Sequence, residues 1–385
     1  MEENYLREDI FLKDGKLSIN QQYWDLIKKH HQRHDVQNYI HSLIVKHNIP
    51  FPYKEYTELG LKDEFSKLKN THHYGIISYA KWSSHRLEIP NFDFTYDGRY
   101  LGLLPNLVGR SCSDNFTQVE RMKCEAKDRG LSPINSWEKR TSVFRFLYNV
   151  CENVSPKTLR ATISNSSGYV ASQFSPMCAK AIYEMFDCKN VLDLSMGWGD
   201  RLVGALASNI DSYTGIDPNT ALHPHYAGIN NYYRHNKKTK FLCQPAEDVV
   251  LEPNQFDMVF TSPPYFDRER YSEETTQSWK RYGSSVERWL NGFLFKVMAK
   301  SYDWLQDGGR LILNINDVSK TPFCKQMLDH ALKLGYTYEG VIGYGMQSRP
   351  GEHTTSEDVI YEPMFVWSKG KAKNKIQVEP MNTLF

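Results

Sequence analysis

Residues 257–267 read DMVFTSPPYFD and gather groups that could act on a flat ring. Met258, Val259 and Phe260 form a short apolar run of β-formers, the pattern of a buried parallel strand. Thr261 and Ser262 place hydroxyls at the carboxyl end of that strand, where open α/β sheets hold their ligands. Pro263 and Pro264 fix φ and remove two N–H donors, and Ser262, preceding a proline, is driven to an extended conformation. The corner is therefore stiff. It aims the Ser262 hydroxyl, the Pro263 carbonyl and the Tyr265 ring at one point, an arrangement suited to a planar, amino-bearing acceptor. Phe266, Asp267 and Arg268 follow directly and are candidate substrate contacts.

The residues upstream supply a frame for such a corner. SQFSPMCAKAIYEMF (172–186) patterns as an amphipathic helix, with Ser175 as N-cap and Pro176 at the first helical position. VLDLSMGWGDRLVGALAS (191–208) reads as strand, glycine turn and helix. Gly197 and Gly199 let the backbone approach a ligand closely, at a helix N-terminus that faces it. The next strand, YTGID, ends in Asp217, placed like the acid that hydrogen-bonds a ribose in Rossmann-like folds. KFLC (240–243) is a third strand, followed by Glu247 and Asp248. The 258–260 run is the fourth, GRLILNI (309–315) the fifth, and YEGVIG and VIYEPMFVW the last two. A helix over 322–335 closes on Gly335. Successive βα units ending in a hairpin predict an α/β fold built on a seven-strand, Rossmann-like sheet.

These stretches carry a family resemblance. SPPY (262–265) resembles the S/D/N-P-P-Y/F motif of S-adenosylmethionine-dependent amino-methyltransferases of nucleobases. DLSMGWG (193–199) is similar to that family's glycine-rich cofactor motif, and GIDPN (215–219) to its ribose-binding acid. AED (246–248) is placed like its adenine-contacting segment, and FSP (174–176) like the motif that reaches the methionine moiety. All precede SPPY in the family's order, and the resemblance spans residues 165–370. It implies a class I methyltransferase domain over 161–385 with S-adenosyl-L-methionine as cofactor and no metal. The implied cofactor contacts are Phe174, Ser175, Pro176, Asp193, Ser195, Gly197, Gly199, Asp217, Glu247 and Asp248. The implied catalytic residues are Ser262, Pro263, Pro264 and Tyr265, with the Ser262 hydroxyl and Pro263 carbonyl accepting from the amino group and Tyr265 stacking on the base.

Two other chemistries fit the same residues less well. A dinucleotide-dependent dehydrogenase needs G-x-G-x-x-G, and Leu202 stands where the third glycine belongs. Methylation at cytosine carbon 5 needs a nucleophilic Cys on a Pro-Cys turn, and neither Cys243 nor Cys324 has that setting. The leading expectation is methyl transfer to N4 of cytosine or N6 of adenine in DNA. The alternatives are the same transfer to an RNA base, and a module that binds the cofactor without catalysis.

The 385 residues, 40% hydrophobic and 24% charged, suit one large domain or two ordinary ones. A net charge of +2 lends nucleic-acid binding no support by itself, so a local patch must carry it. Seven scattered cysteines without a C-x-x-C pair argue against a structural zinc site or a disulfide framework. They fit a reducing compartment, the cytoplasm or another intracellular space that contains nucleic acid. The start, MEENYLREDIFLKDGK, lacks the apolar stretch of a secretion signal, and no apolar run approaches a membrane span. Residues 1–160 are expected to form an additional α+β region, a candidate recognition domain. It has helical patches over 23–29 and 36–46 and β- and turn-rich text over 72–107. Basic residues recur over 110–160, among them Arg110, Arg121, Lys127, Arg129, Arg140, Arg145 and Arg160. RERYSEETTQSWKR (268–281) and QSRPGEH (347–353) read either as plain exposed loops or as loops facing the substrate.

Overall fold

The structure, a computed structural model, describes residues 4–126, 130–139, 147–149, 151–166, 169–233, 235–266, 269–318, 321–346 and 359–379. Its main sheet contains β1 (Asn190–Asp193), β2 (Ser212–Ile216), β3 (Lys238–Leu242), β4 (Phe256–Thr261), β5 (Leu305–Asn314), β6 (Tyr336–Met346) and β7 (Ile360–Lys369). These lie in the order β3-β2-β1-β4-β5-β7-β6. Neighbours from β3 to β5 are parallel, and β7 runs antiparallel to both β5 and β6. This is the class I methyltransferase sheet expected from the βα succession, hairpin included. β1 and β4 are near-continuous apolar runs because both faces are covered: Val191, Leu192, Met258, Val259 and Phe260 expose nothing. Val259 stands opposite Leu192 on one side and Leu311 on the other, which puts β4 in mid-sheet. Strand order reverses between β1 and β4. The chain therefore leaves the carboxyl ends of these two neighbours in opposite directions and opens a crevice there.

The helices that frame the crevice are α1 (Pro176–Met185), α2 (Asp200–Ala207), α3 (His223–Tyr232), α4 (Phe295–Trp304) and α5 (Cys324–Lys333). α1 starts as predicted: the Ser175 hydroxyl accepts from the Cys178 amide at 3.2 Å, and Pro176 opens the first turn. α2 lies close on α1 because residue 204 is glycine; a Cβ there would stand 2.6 Å from the Pro176 carbonyl oxygen. α5 stops at Gly335, whose φ of +93° continues the chain out of the helix.

The chain forms two compact units, residues 1–56 with 118–172, and residues 57–117 with 173–385. This differs from the division expected at 160/161, because the 72–107 segment builds the sheet of the second unit. Thr95–Tyr96 pairs antiparallel with β6 at Gly340, and Gly102–Leu103 pairs parallel with it at Gly343 and Tyr344. A side chain at residue 340 would collide with the Thr95 carbonyl oxygen.

The first unit has its own core. Helices Gln21–His30 and Arg33–Lys46 bury Trp24, Ile27, Val36, Ile40 and Leu43 in a cluster with Val154, Leu159 and Ile163. Several cations of the 110–160 stretch serve the fold. Arg121 donates to the Ala171 carbonyl at 3.1 Å, and Arg160 to the Pro52 and Tyr53 carbonyls at 2.9 and 3.1 Å. Arg110, in the second unit, donates to the Gln173 carbonyl at 3.2 Å. Lys127, Arg129, Arg140 and Arg145 lie outside the described residues. Among the described residues no helix is long and apolar enough to cross a membrane, and no group of three or more His, Cys, Asp or Glu is gathered to hold a metal ion.

Candidate active site

β1 ends in Asp193, whose carboxylate is the hub of the crevice. It is fully buried and accepts from Arg201 Nε at 2.9 Å and Nη2 at 3.2 Å, and from the Tyr213 hydroxyl at 2.7 Å. It also accepts from the Thr261 hydroxyl at 2.9 Å and the Ser195 amide at 3.2 Å. These donors come from α2, β2, β4 and the loop after β1. One carboxylate thus fixes the glycine turn and the β4 corner relative to each other. Burial alone would favour a neutral Arg201, but the Asp193 charge beside it outweighs this and holds the guanidinium above its usual range. Asp193, expected to contact the cofactor, thus has both oxygens engaged by protein donors.

The turn after β1 is left-handed twice, with φ of +54° at Gly197 and +78° at Gly199. At Gly199 a Cβ would press to 2.8 Å of Ile229, whereas at Gly197 it would meet only the Ser195 carbonyl oxygen, at 3.9 Å. The missing side chain at Gly197 therefore leaves space beside the backbone. The Gly197 amide donates to the Asp217 carboxylate at 2.9 Å, and the Asn219 amide does so at 2.9 Å. Burial pushes the Asp217 carboxyl up to about 6 against the opposing pull of these two amides. Glu247 is buried, which raises its pKa; it accepts from the Tyr282 hydroxyl and from Arg281 Nη1, each at 2.6 Å. Exposed Asp248 shares Arg281 at 2.8 Å. Phe174 stacks on Tyr344 with centroids 4.4 Å apart, Pro176 is buried, and the half-buried Ser195 offers its carbonyl to Arg201.

β4 delivers the corner. Ser262 is half-exposed and Pro263 is buried. The Tyr265 hydroxyl donates to Glu362 Oε2 at 2.9 Å and lies 3.4 Å from the Asn314 carbonyl oxygen. Phe266 has a φ of +56°, rare for a bulky side chain, and its amide donates to the Pro264 carbonyl at 2.9 Å. Its ring is buried edge-on to Trp289, so the structure places Phe266 in the core beneath the corner. Asp267 and Arg268 lie outside the described residues, as does QSRPGEH at 347–353.

The chain then returns across the loops after β1, β2 and β3, so 269–282 is no plain exposed loop. Glu274 accepts from the Thr220 amide at 3.2 Å and from its hydroxyl, and Thr276 donates to the Pro218 carbonyl at 3.5 Å. Tyr271 meets Trp198 edge-on at 5.7 Å, and Arg281 with Tyr282 holds Glu247. Cysteine chemistry finds no support here: burial pushes the Cys112 and Cys178 thiols up to about 12. Arg201, Glu274 and Glu362 escape motif reading. An acid inside the apolar run VIYEPMFVW is nevertheless a visible signal for Glu362.

Residues 256–383 match the family model described as DNA methylase. None of the curated proteins matches the sequence. Similar solved structures include a methyltransferase from Pyrococcus furiosus, 15% identical, with 61% of this chain and 99% of that one covered and a TM-score of 0.34. The tRNA (m1A58) methyltransferase TrmI of Aquifex aeolicus is 12% identical over 52% of this chain and 72% of its own, with a TM-score of 0.36. The (4+2)-cyclase SpnF is 12% identical over 51% and 82%, with a TM-score of 0.37. Overlaps this loose carry no argument; the strand order and the family match over 256–383 stand without them. The chain is an S-adenosylmethionine-dependent methyltransferase whose residues 256–383 are similar to the DNA methylase family.

Proposed function

We propose that the chain transfers a methyl group from S-adenosyl-L-methionine to an exocyclic amino group of a nucleobase in DNA, N4 of cytosine or N6 of adenine. The observation that supports this most is the Ser262–Tyr265 corner at the carboxyl end of β4. It stands one strand from the glycine turn and is tied to it through Thr261 and Asp193. The bound cofactor supplies a methyl group on a sulfonium cation. In this reading Gly197 and Gly199 admit it, Asp217 accepts from its ribose, Glu247 and Asp248 flank its adenine, and Phe174, Ser175 and Pro176 edge its methionine end. Ser262 and the Pro263 carbonyl take hydrogen bonds from the acceptor's amino group and turn its lone pair toward the methyl. Fixed dipoles there stabilise the charge that develops, and in-line placement supplies much of the rest. Ser262 is neutral, so the proton released after transfer leaves to solvent. A base in a duplex must first be flipped out. The first unit is the acceptor-recognition part in this reading; it carries 17 Lys and Arg against 13 Asp and Glu, an excess that favours phosphate.

The test is methyl transfer from radiolabelled cofactor to duplex DNA, single-stranded DNA and RNA, followed by nucleoside mass spectrometry. N4-methylcytosine or N6-methyladenine is expected in DNA. Ser262→Ala is expected to lower the rate by about 100-fold with cofactor binding kept. Label in RNA alone would replace DNA by RNA as the acceptor, and no label with cofactor bound would overturn the proposal.

A further inference from the structure

The Tyr265 ring is steered by residues far from it in sequence. Glu362, which accepts its hydroxyl at 2.9 Å, is 8% exposed and sits on β7 among apolar neighbours. Its other oxygen, Oε1, faces Arg86 Nη1 at 3.5 Å. Arg86 arrives on the 82–89 segment, and that segment is anchored by polar contacts on both sides of it. Asn316 Nδ2 donates to the Ser84 hydroxyl at 2.8 Å, the Glu88 amide donates to Asp317 at 2.9 Å, and Trp82 Nε1 donates to the Leu101 carbonyl at 3.0 Å. Asn316 and Asp317 directly follow β5, the sheet neighbour of β4. The ends of β5 and β7 and the 82–89 segment thus converge on the polar end of Tyr265. Closing the core would not require a carboxylate at 362, since an apolar residue of similar volume does that at least as well. A carboxylate that divides its oxygens between a phenol and a half-exposed guanidinium is better explained by what it does to the phenol.

We propose that Glu362 and Arg86 are positioning residues for methyl transfer: Glu362 fixes the Tyr265 ring by taking its hydroxyl hydrogen bond, and Arg86 holds Glu362 in place. The proposal rests on the corner being the acceptor site. A ring held at both its backbone and its hydroxyl presents one face to the acceptor base, whereas a ring released at the hydroxyl rocks and loosens the in-line geometry.

The decisive experiment compares Tyr265→Phe, Glu362→Ala, their double variant and Glu362→Gln in kcat and in cofactor Kd. Tyr265→Phe and Glu362→Ala should each lower kcat about tenfold, as loss of one hydrogen bond does, and leave the cofactor Kd unchanged. The double variant should be no slower than either single one, and Glu362→Gln, which keeps an acceptor oxygen, should recover most of the rate. Additive effects, or cofactor affinity falling in step with kcat, would overturn the proposal. Tyr265→Ala separates the two layers. If it turns over normally the corner reading fails; if it is inactive while Tyr265→Phe and Glu362→Ala are normal, only the brace fails. A readout that needs no acceptor is the 13C resonance of Tyr265 Cζ, which should shift in Glu362→Gln and broaden in Glu362→Ala. An unchanged resonance in both variants would count against the brace.

Discussion

The two sides of the crevice are built in opposite ways. On the proposed cofactor side, Gly197 and Asp217 come from consecutive βα units, and the Gly197 and Asn219 amides converge on the Asp217 carboxylate. On the proposed acceptor side, Tyr265, Glu362, Arg86 and Asn316 come from four separate stretches and meet through side chains. Local turns shape the Asp217 end of the cofactor side, although Glu247 takes the Arg281 and Tyr282 side chains from the 269–282 segment. Around Tyr265 the contacts run between side chains of distant stretches. Asp193 stands between the two sides, holding Thr261 of β4 with one oxygen, Tyr213 with the other and Arg201 with both.

The largest effect should come from breaking that joint. Asp193→Ala leaves Arg201, 4% exposed, as a buried charge without its partner and strands the Tyr213 and Thr261 hydroxyls. A loss of about 3–5 kcal/mol is expected. Urea unfolding would measure it, and a midpoint equal to wild type would show that the two sides are held together by something else.

A middle-sized effect isolates the cofactor side. The Asp217 carboxyl, pushed up to about 6, must be ionised to accept fully from a ribose. Cofactor affinity should therefore weaken as pH falls from 7 to 5. Asp217→Asn should be weaker than wild type at neutral pH by about 1.5–3 kcal/mol and nearly flat across that range. Apo stability should run the other way. A carboxyl raised above its ordinary 3.8 contributes stability that is complete below that value and is lost as pH rises through about 6. Calorimetric titration and thermal melts over pH 4–8 would resolve the two slopes. If both fell together with pH, Asp217 would not be the group responsible.

The same contrast explains what could be read from the residues alone. β1, β4, the glycine turn, the Ser175 cap and the Gly335 stop are short-range patterns, each specified within a few neighbouring residues, and all appear in the structure. The place of 72–107 in the sheet was not legible, because Thr95–Tyr96 and Gly102–Leu103 are two-residue strands whose partner lies more than two hundred residues away. Asp193 looked like a cofactor contact because it precedes the glycines, and nothing local reveals that Tyr213, Arg201 and Thr261 converge on it. Phe266 looked like a base contact because it follows Tyr265; its left-handed backbone turns it into the core instead. Arg121 and Arg160 belong to a run of basic residues with no evident partner in the sequence, and they donate to carbonyls that only folding brings near.

The smallest effect should come from the acceptor side, and it is the sharpest check on the contrast. Asn316 is as buried as Asp193, 1% against 0%, yet it is neutral and its Nδ2 holds Ser84 of the 82–89 segment. Asn316→Ala strands the Ser84 hydroxyl and the Asp317 amide but no charge, so a destabilisation of about 1–2 kcal/mol is expected, less than for Asp193→Ala. Because Ser84 sits two residues before Arg86, the loosened segment should weaken the hold on Glu362 and Tyr265. kcat should then fall several-fold while cofactor Kd stays at its wild-type value. Equal losses in both would mean that the 82–89 segment also shapes the cofactor loops, and the acceptor side could no longer be treated as a separately assembled part of the crevice.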